Sequence, residues 1–411
     1  MEKKRHLLIW CQRFAFYVFE MEKVINLGIP HVGEHVFECI DTPGLIKCLL
    51  VSKSWKELAE NVLVKRWKGR LFEACEDGAT TIVRLLLERC KFEDSGLKNE
   101  YLDYSDRTMD LNARYGNGQC GYTALMVACY EGHKDIVELL LNYSKRSIDL
   151  NAKDDNGATA FSIACHSGHI GIVQLFLNHS HQSINLNEKD DAGFTGLMWA
   201  CFRGHKDAVE LLLDNSNIEL NARNNYGKTA FMLACVQGLE VIVHSFIRHF
   251  DRKNTELDIN TKDDSQMNAF MLACYNGRIE IVKLLFNRFG IKLRLNARDY
   301  MRRNAFRLAC VEGHKDVVQF LLNCSDQNID FNAKDNYTLY GQNGYTGFWW
   351  ACFKGHKDVV QLLLEHSSDV DITIAEGSDC AFSNEIKDLL ASKNNLNHNY
   401  NLRRIKRPKQ K

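Results

Sequence analysis

The stretch Thr123–Leu141, with the sequence TALMVACYEGHKDIVELLL, decides how most of this chain folds. Edited copies of it return towards the C-terminus, and an Ala-Cys pair marks each copy. These pairs lie at 74–75, 128–129, 164–165, 200–201, 234–235, 273–274, 309–310 and 351–352. Most neighbouring pairs are 34 to 39 residues apart. Such a period is typical of stacked supersecondary units rather than of one globular core.

Each copy predicts two helices joined by a tight turn. Thr123 can cap the first helix, and the small Ala-Cys pair allows close helix contact. Gly132 ends this helix, because glycine adopts a left-handed C-cap at little cost. Residues 135–141 place apolar side chains on a wide face of a second helix, and the polar link 149–157 suits an extended arm and a turn. One unit cannot bury its own apolar face, so its neighbours must stack on it.

This pattern resembles the ankyrin repeat over roughly residues 68–395. The resemblance is carried by Gly-x-Thr, an apolar residue before Ala-Cys, Gly-His, the Leu run and Leu-Asn-Ala-Lys-Asp. It implies an all-α ankyrin-repeat solenoid of about eight helix pairs with projecting loops and a C-terminal cap. The family's usual Pro after Thr is Ala or Gly here, and its usual His is most often Met, as at Met126. We expect these departures to weaken the hydrogen bonds of the family's Thr and His and to loosen the stack.

Composition narrows the classes of function. The chain has 411 residues, a formal net charge of zero and 15 cysteines. This length fits one small domain plus a repeat array, and the charge balance does not indicate nucleic-acid binding. Eight cysteines belong to the Ala-Cys pairs, where Cys is predicted to act as a small buried hydrophobe. No Cys-x-x-Cys pair or zinc-ligand spacing occurs, so we expect no metal and no cofactor, and a reducing cytoplasmic or nuclear compartment.

Residues 1–27 form a leader that differs from the rest of the chain. An apolar run from Leu7 to Phe19 follows a charged start, but polar residues interrupt it and no small-residue cleavage site follows. The run is also shorter than the roughly 20 apolar residues that cross a bilayer. We predict an amphipathic helix or a loosely ordered leader, and no membrane partner. The sequence MEK at 21–23 repeats MEK at 1–3, so Met21 is a candidate alternative start.

Residues 28–65 also differ from the repeats. Pro30 and Pro43, two of the three prolines, punctuate short helical segments, so a small helical bundle is predicted. The order Ile-Pro, Val-Phe-x-x-Ile, Pro-x-Leu and Leu-Val-Ser-Lys-x-Trp resembles an F-box. Gly44 stands where Asp is usual, and the acidic residue that often follows Leu-Pro is absent. The alternative interpretation is a plain helical cap for the repeats.

The F-box resemblance implies a partner, the Skp-type adaptor of a cullin–RING ubiquitin ligase. The family's adaptor-binding positions correspond here to Ile29, Pro30, Val36, Phe37, Ile40, Leu45, Val51 and Trp55. These residues would form an exposed apolar patch, although some of them must hold the bundle together.

The repeat array is expected to occupy residues 66–395, with polar insertions at 91–117 and 337–343. The segment 396–411 is Asn-rich and then basic, a composition that predicts disorder. Its basic cluster is a candidate nuclear localisation signal or nucleic-acid-binding patch. The alternative is a solvated tail that no partner recognises. The cluster consists of Arg403, Arg404, Lys406 and Arg407.

The two residues between Ala-Cys and Gly are the candidate contact residues, since in the ankyrin family they face a concave binding surface. They change from copy to copy, and aromatic residues occupy the first position in four of seven copies. The predicted contact set is Tyr130, Glu131, His166, Phe202, Arg203, Gln237, Tyr275, Asn276, Glu312, Phe353 and Lys354. The alternative is that these rings pack between repeats. We expect Trp199, Trp349 and Trp350 to be interior, with Trp350 near the same face.

The sequence predicts a non-catalytic adaptor. It contains no Gly-rich phosphate loop and no His-Glu-x-x-His motif, and its Gly-His residues recur once per repeat, as structural residues do. The F-box would dock on the ligase while the repeats hold a substrate protein for ubiquitination, which is catalysis by proximity. The alternative is a stand-alone ankyrin scaffold, or a protein that sequesters its partner without a ligase. The mixed charge of the contact residues argues against a nucleic-acid partner, and binding through the basic tail would show steep salt dependence.

Overall fold

The computed structural model describes residues 42–48, 53–67, 70–94, 110–115, 121–143, 148–179, 184–253, 257–324, 328–336, 338–339, 342–366, 368–372 and 382–392. Its helices are α1 (Thr42–Cys48), α2 (Lys53–Trp67), α3 (Leu71–Glu76), α4 (Thr80–Asp94), α5 (Ala124–Glu131), α6 (Lys134–Tyr143), α7 (Ala160–Ser167), α8 (Ile170–Asn178), α9 (Gly196–Arg203), α10 (Lys206–Asp214), α11 (Ala230–Gln237), α12 (Glu240–Lys253), α13 (Ala269–Tyr275), α14 (Ile279–Phe289), α15 (Ala305–Glu312), α16 (Lys315–Asn323), α17 (Gly347–Lys354) and α18 (Lys357–Glu365). A 3₁₀ turn (Gly290–Lys292) follows α14, and residues 384–392 are helical.

Strands are almost absent from these ranges. The insertion after Asp335 contains a hairpin of two short strands, β1 (Thr338–Leu339) and β2 (Gln342–Asn343), which pair antiparallel. Tyr115 and Tyr122 form an isolated bridge. None of the helices in the described ranges has both the length and the apolar character that a membrane span requires.

A side-chain cap begins the first helix of each described repeat after the first, whereas Arg70 precedes α3 without a capping hydrogen bond. The Oγ1 atom of Thr229 accepts a hydrogen bond from the backbone N–H of Met232 at 3.3 Å, and Thr123 caps α5 at 3.4 Å. In α13 and α15 an asparagine replaces the threonine, and Asn268 caps at 2.9 Å. The threonine bonds are therefore long and weak by comparison.

A left-handed glycine ends most of these helices. Gly132 has a φ of 83°, and its N–H donates to the carbonyl of Ala128. The chain then turns at once into the second helix, where Ile136, Val137 and Leu140 are buried. Glycine is required at this turn because other side chains are strained at positive φ.

The first compact unit contains the described residues up to Ala164, with 178–179 and 184. In it α1 packs on α2, and α2 packs on α4; α3 lies against α5, as α4 lies against α6. Leu45, Ala59 and Leu63 are fully or almost fully buried in this packing. The helix α2 thus covers the second helix of the first repeat.

The second unit contains residues 165–177 and the described residues from 185 onwards. Its first helices, α9, α11, α13, α15 and α17, pack side by side in that order. Its second helices, α10, α12, α14, α16 and α18, do the same. Two helical layers therefore enclose one apolar core, and each repeat contacts its neighbours along the chain.

The Ala-Cys residues permit this close packing. All eight of their thiols are buried and form no disulfide, which confirms the prediction that they act as small hydrophobes. A Cβ atom at Gly347 of α17 would lie 3.1 Å from the Sγ atom of Cys310, so the helices are near their closest approach. Burial raises the pKa of Cys75 and of Cys352 to about 12, so these thiols stay protonated and are poor nucleophiles.

After the first projecting loop, an Asp or Asn side chain closes each described loop between repeats. The Oδ1 atom of Asp190 accepts from the backbone N–H groups of Ala192 and Phe194 at 3.0 and 2.7 Å. Asparagines then join successive loops: Asn296 accepts from the N–H of Asp330 at 2.8 Å. These bonds satisfy loop backbone that no helix can pair, and they hold the loops in register.

Candidate protein-binding surface

In several copies a histidine follows the helix-ending glycine and ties two repeats together. The Nε2 atom of His314 lies 2.9 Å from the carbonyl oxygen of Tyr275, in the preceding repeat. His133, His205 and His356 make the equivalent contact at 2.9 to 3.0 Å. These histidines are structural, because each is engaged with a helix-end carbonyl. They fix the last turn of each first helix, which is where the variable residues lie.

The predicted contact residues lie at these helix ends with different exposure. In the first unit, Tyr130 is 47% exposed and Glu131 is also exposed. In the second unit, the exposed members are Phe202, Arg203, Glu312, Phe353 and Lys354, whereas His166, Gln237, Tyr275 and Asn276 are partly buried. We call the second-unit set the first-helix surface, because the stacked first helices place their ends in one row. Asn276 is partly used within its own helix, where its Nδ2 atom donates to the carbonyl of Leu272 at 2.8 Å.

An aromatic cluster surrounds the end of α9. The ring of Phe202 meets the rings of Trp199 and Phe194 edge-on, with centroids 5.8 and 6.1 Å away. The indole N–H of Trp199 donates to the Oδ2 atom of Asp190 at 2.8 Å, so the loop carboxylate anchors the ring. Phe202 keeps 37% of its surface exposed. It therefore rests on its own repeat and still presents a ring edge to solvent.

A basic group is held beside this cluster. The guanidinium of Arg203 donates from Nε and Nη2 to the Nε2 atom of His166, at 3.0 and 2.7 Å. Burial, then the charge of Arg203 and of His205, lowers the pKa of His166, so it stays a neutral acceptor near pH 7. Arg203 has no carboxylate partner among the residues that the structure describes.

The same arrangement returns at the end of α17. Phe353 lies 5.6 Å from Trp350 and stacks on Trp349 at 5.0 Å, and it is again 37% exposed. The indole N–H of Trp350 donates to Asp335 at 2.9 Å, as that of Trp199 does to Asp190. Lys354 follows Phe353 and, within the described ranges, pairs with no carboxylate. Two repeats of the second unit thus carry equivalent aromatic–cation clusters.

The second cluster also contains a buried ion pair. Arg307, on α15, is 1% exposed and donates from Nη2 to the Oδ2 atom of Asp335. Its guanidinium carbon lies 5.8 Å from the centre of the Trp350 ring. The Nε and Nη1 atoms have no hydrogen-bond partner. Burial lowers the pKa of Arg307 to about 10, although Asp335 opposes this shift.

Sequence reasoning found the exposed rings but not what supports them. Trp349 is interior as expected, at 2% exposure, but Trp199 and Trp350 are only partly buried and belong to the clusters. The sequence does contain a feature that marks the two clusters, since only these two copies have Trp directly before Ala-Cys. The anchoring carboxylates, Asp190 and Asp335, lie 9 and 15 residues from their indoles, a pairing that no short motif reveals.

Most of the predicted adaptor-binding residues lie outside the described residues. Those outside are Ile29, Pro30, Val36, Phe37, Ile40 and Val51, and for Trp55 only the helical backbone is described. Leu45 is fully buried, so it stabilises the packing of α1 and is not part of an exposed patch. The leader and the basic tail, with Arg403, Arg404, Lys406 and Arg407, are likewise outside.

The family model described as Ankyrin repeats (3 copies) matches this chain in overlapping stretches, at residues 43–154, 71–190, 180–256, 242–335 and 296–376. These stretches include every helix pair of both units. No curated protein matches the chain. Within the ranges that the structure covers, no group of three or more His, Cys, Asp or Glu side chains could hold a metal ion.

Proposed function

Because the chain belongs to the ankyrin-repeat family, whose members bind proteins and are generally non-catalytic scaffolds, we propose that it recruits a partner protein through its first-helix surface. The two equivalent clusters carry this proposal. Each presents an exposed phenylalanine on an anchored tryptophan, with a cation beside it. Rigid, partly exposed aromatics are the side chains that contribute most to protein interfaces.

Photo-crosslinking tests this surface directly. A benzoylphenylalanine at position 202 or 353 should crosslink to the partner in native extract, since both sites keep an exposed ring. The control places the same probe at Val241, which is 53% exposed on the second helix α12. The same partner captured from 202 and 353 but not from 241 supports the proposal. Equal capture from all three positions contradicts it.

We further propose that the N-terminal segment links this recruitment to ubiquitination. The support is the order of the F-box-like motifs over residues 28–65, which a plain cap does not need. The segment would dock on a Skp-type adaptor and the repeats would hold the substrate near the ubiquitin-loaded enzyme. The chain would then raise the local concentration of the substrate and leave the chemistry to the ligase. Such a role places the chain in the cytoplasm or nucleus.

The second candidate is a stand-alone scaffold that holds or sequesters its partner. One contact favours it: α2, the described C-terminal part of the F-box-like segment, packs on α4 of the first repeat. Ala59, Val62 and Leu63 of α2 are buried in this unit, as a cap requires. A helix can serve both roles only if a second face remains for the adaptor.

A pulldown with a purified Skp-type adaptor separates the two candidates. The test variant is Pro30→Ala/Phe37→Asp, which avoids the buried Leu45 because a charge there would disrupt packing. The control variant Phe202→Ala/Phe353→Ala should lose the partner and keep the adaptor. Adaptor binding that only the N-terminal variant loses supports the ligase role. A folded wild-type chain that does not bind leaves the stand-alone scaffold.

A further inference from the structure

Two loop tips of the second unit hold a left-handed residue that is not glycine. At the equivalent turn position the chain has Gly193 and Gly227, with φ of 78° and 71°. Gln266 and Arg302 take this place in the next two loops, with φ of 62° and 63°. Such a conformation strains most side chains, and strained backbone is concentrated at functional sites. The neighbouring loops have glycine at this position, which makes Gln266 and Arg302 candidates for a functional role.

Exposed tyrosines flank these strained residues. Tyr226 is 61% exposed and Tyr300 is 59% exposed. The neighbouring loops have Asp or Asn at the position of Tyr300, and Ala192, Ser265 or Met301 at the position of Tyr226. Backbone bonds join the tips: Asp264 donates to the carbonyl of Tyr226 at 3.2 Å, and Tyr300 donates to that of Ser265 at 3.3 Å. Three successive loop tips thus form one surface, which we call the loop ledge: Tyr226, Gln266, Tyr300 and Arg302.

The ledge is positively charged, because the carboxylates in the same loops are already paired with nearby cations. Lys228 pairs with Asp263 at 3.1 Å. Arg223 pairs with Asp264 at 3.1 Å, and Arg303 pairs with Asp299 at 2.7 Å. Arg302 is exposed and, among the residues described, has no such partner. It leaves one uncompensated guanidinium in the same loop as the exposed ring of Tyr300.

We propose that the loop ledge is a second binding site, separate from the first-helix surface, for an extended acidic segment of a partner protein. Carboxylates of the segment pair with the Arg302 guanidinium, which suits them geometrically. The rings of Tyr226 and Tyr300 cover the apolar parts of the segment. A nucleic acid fits less well, because its affinity comes from many phosphate contacts and the ledge has one free cation.

The probe is a random-peptide phage library selected on the immobilised full-length chain. Arg302→Gly and Tyr300→Asn are the test variants, since both restore the residue type of neighbouring loops. The matched control is Asn328→Gly, which relieves a left-handed φ of 54° at an exposed site outside the ledge. We expect acid-rich peptides whose affinity falls at least about tenfold in each test variant and stays unchanged in the control. Arg302→Gly should also melt at a higher temperature than wild type, because the strain is gone.

Several outcomes overturn the proposal. These are selection of peptides without acidic residues, failure to select any peptide, and equal binding by the Arg302→Gly variant. Peptides lost only from Phe202→Ala/Phe353→Ala would assign the binding to the first-helix surface instead. A fluorescent poly(dT) oligonucleotide that binds wild type and not Arg302→Gly would make the ledge a nucleic-acid site. A lower melting temperature for Arg302→Gly would refute the strain argument itself.

Discussion

The buried pair of Arg307 and Asp335 makes a sharp prediction, because the chain contains its own control. The equivalent positions of an earlier repeat pair hold Met198 and Asn224, an uncharged pair in the same fold. Replacing Asp335 by Asn leaves the Arg307 guanidinium buried without a counter-charge. Replacing Arg307 by Met leaves a carboxylate that still accepts from Tyr345 at 2.9 Å and from Trp350 at 2.9 Å. The two single variants should therefore differ strongly.

The lowered pKa of Arg307 gives the size of the expected changes in the free energy of unfolding. A fall from 12.5 to about 10 means that folding disfavours the charged form by about 3 kcal/mol even with Asp335 present. This cost applies at neutral pH and is relieved only as the pH rises from about 10 through 12.5. Asp335→Asn removes the opposing charge and should cost a further ~3 kcal/mol or more. Arg307→Met should be neutral or stabilise by up to ~2 kcal/mol, and the double variant should lie near Arg307→Met.

Hydrogen exchange read by mass spectrometry is the suitable assay, because a repeat array opens locally and not in one step. Peptides from α15 and α17 should lose protection in Asp335→Asn and regain it in the double variant. Peptides from α9 serve as the internal reference, since they contain Met198. A result in which Arg307→Met is the more damaging single change would refute the reasoning.

Three further predictions follow from the repeat framework. Gly313→Ala should destabilise more than Gly355→Ala in thermal melts, because a Cβ at Gly313 would lie 2.6 Å from the next repeat's histidine ring and one at Gly355 meets nothing within 4 Å; similar melting temperatures would contradict this. His314→Ala should cost about 1–2 kcal/mol in urea unfolding, because it leaves a helix-end carbonyl unpaired. An NMR titration should show the pKa of His166 below its usual 6.5. Arg203→Ala should remove only part of this shift, because burial is the larger cause. The stability of the fold should decrease as the pH drops below 6.5, since only the unfolded chain then gains a proton at this histidine.

The repeat framework was predictable because it rests on local chemistry repeated many times. Thr123, Gly132 and the Ala-Cys pairs each act within a few residues of their own position, so a single copy contains the information. Comparison of the copies then predicted the positions of the helix pairs and of the buried cysteine thiols. The F-box-like segment occurs once and offers no such internal check, and it remains a prediction.

The clusters were not predictable in the same way. The chain alone determined that Phe202 and Phe353 end first helices at variable positions. Tertiary structure decided that Asp190 and Asp335 fold back onto the indoles, because loop closure brings together atoms that are distant in sequence. It also decided that Arg302 holds a positive φ, since backbone hydrogen bonds to Asp299 close a turn that the arginine side chain disfavours. Local propensity therefore determined the repeats, while contacts between loops and helices determined which side chains stay exposed at the surface.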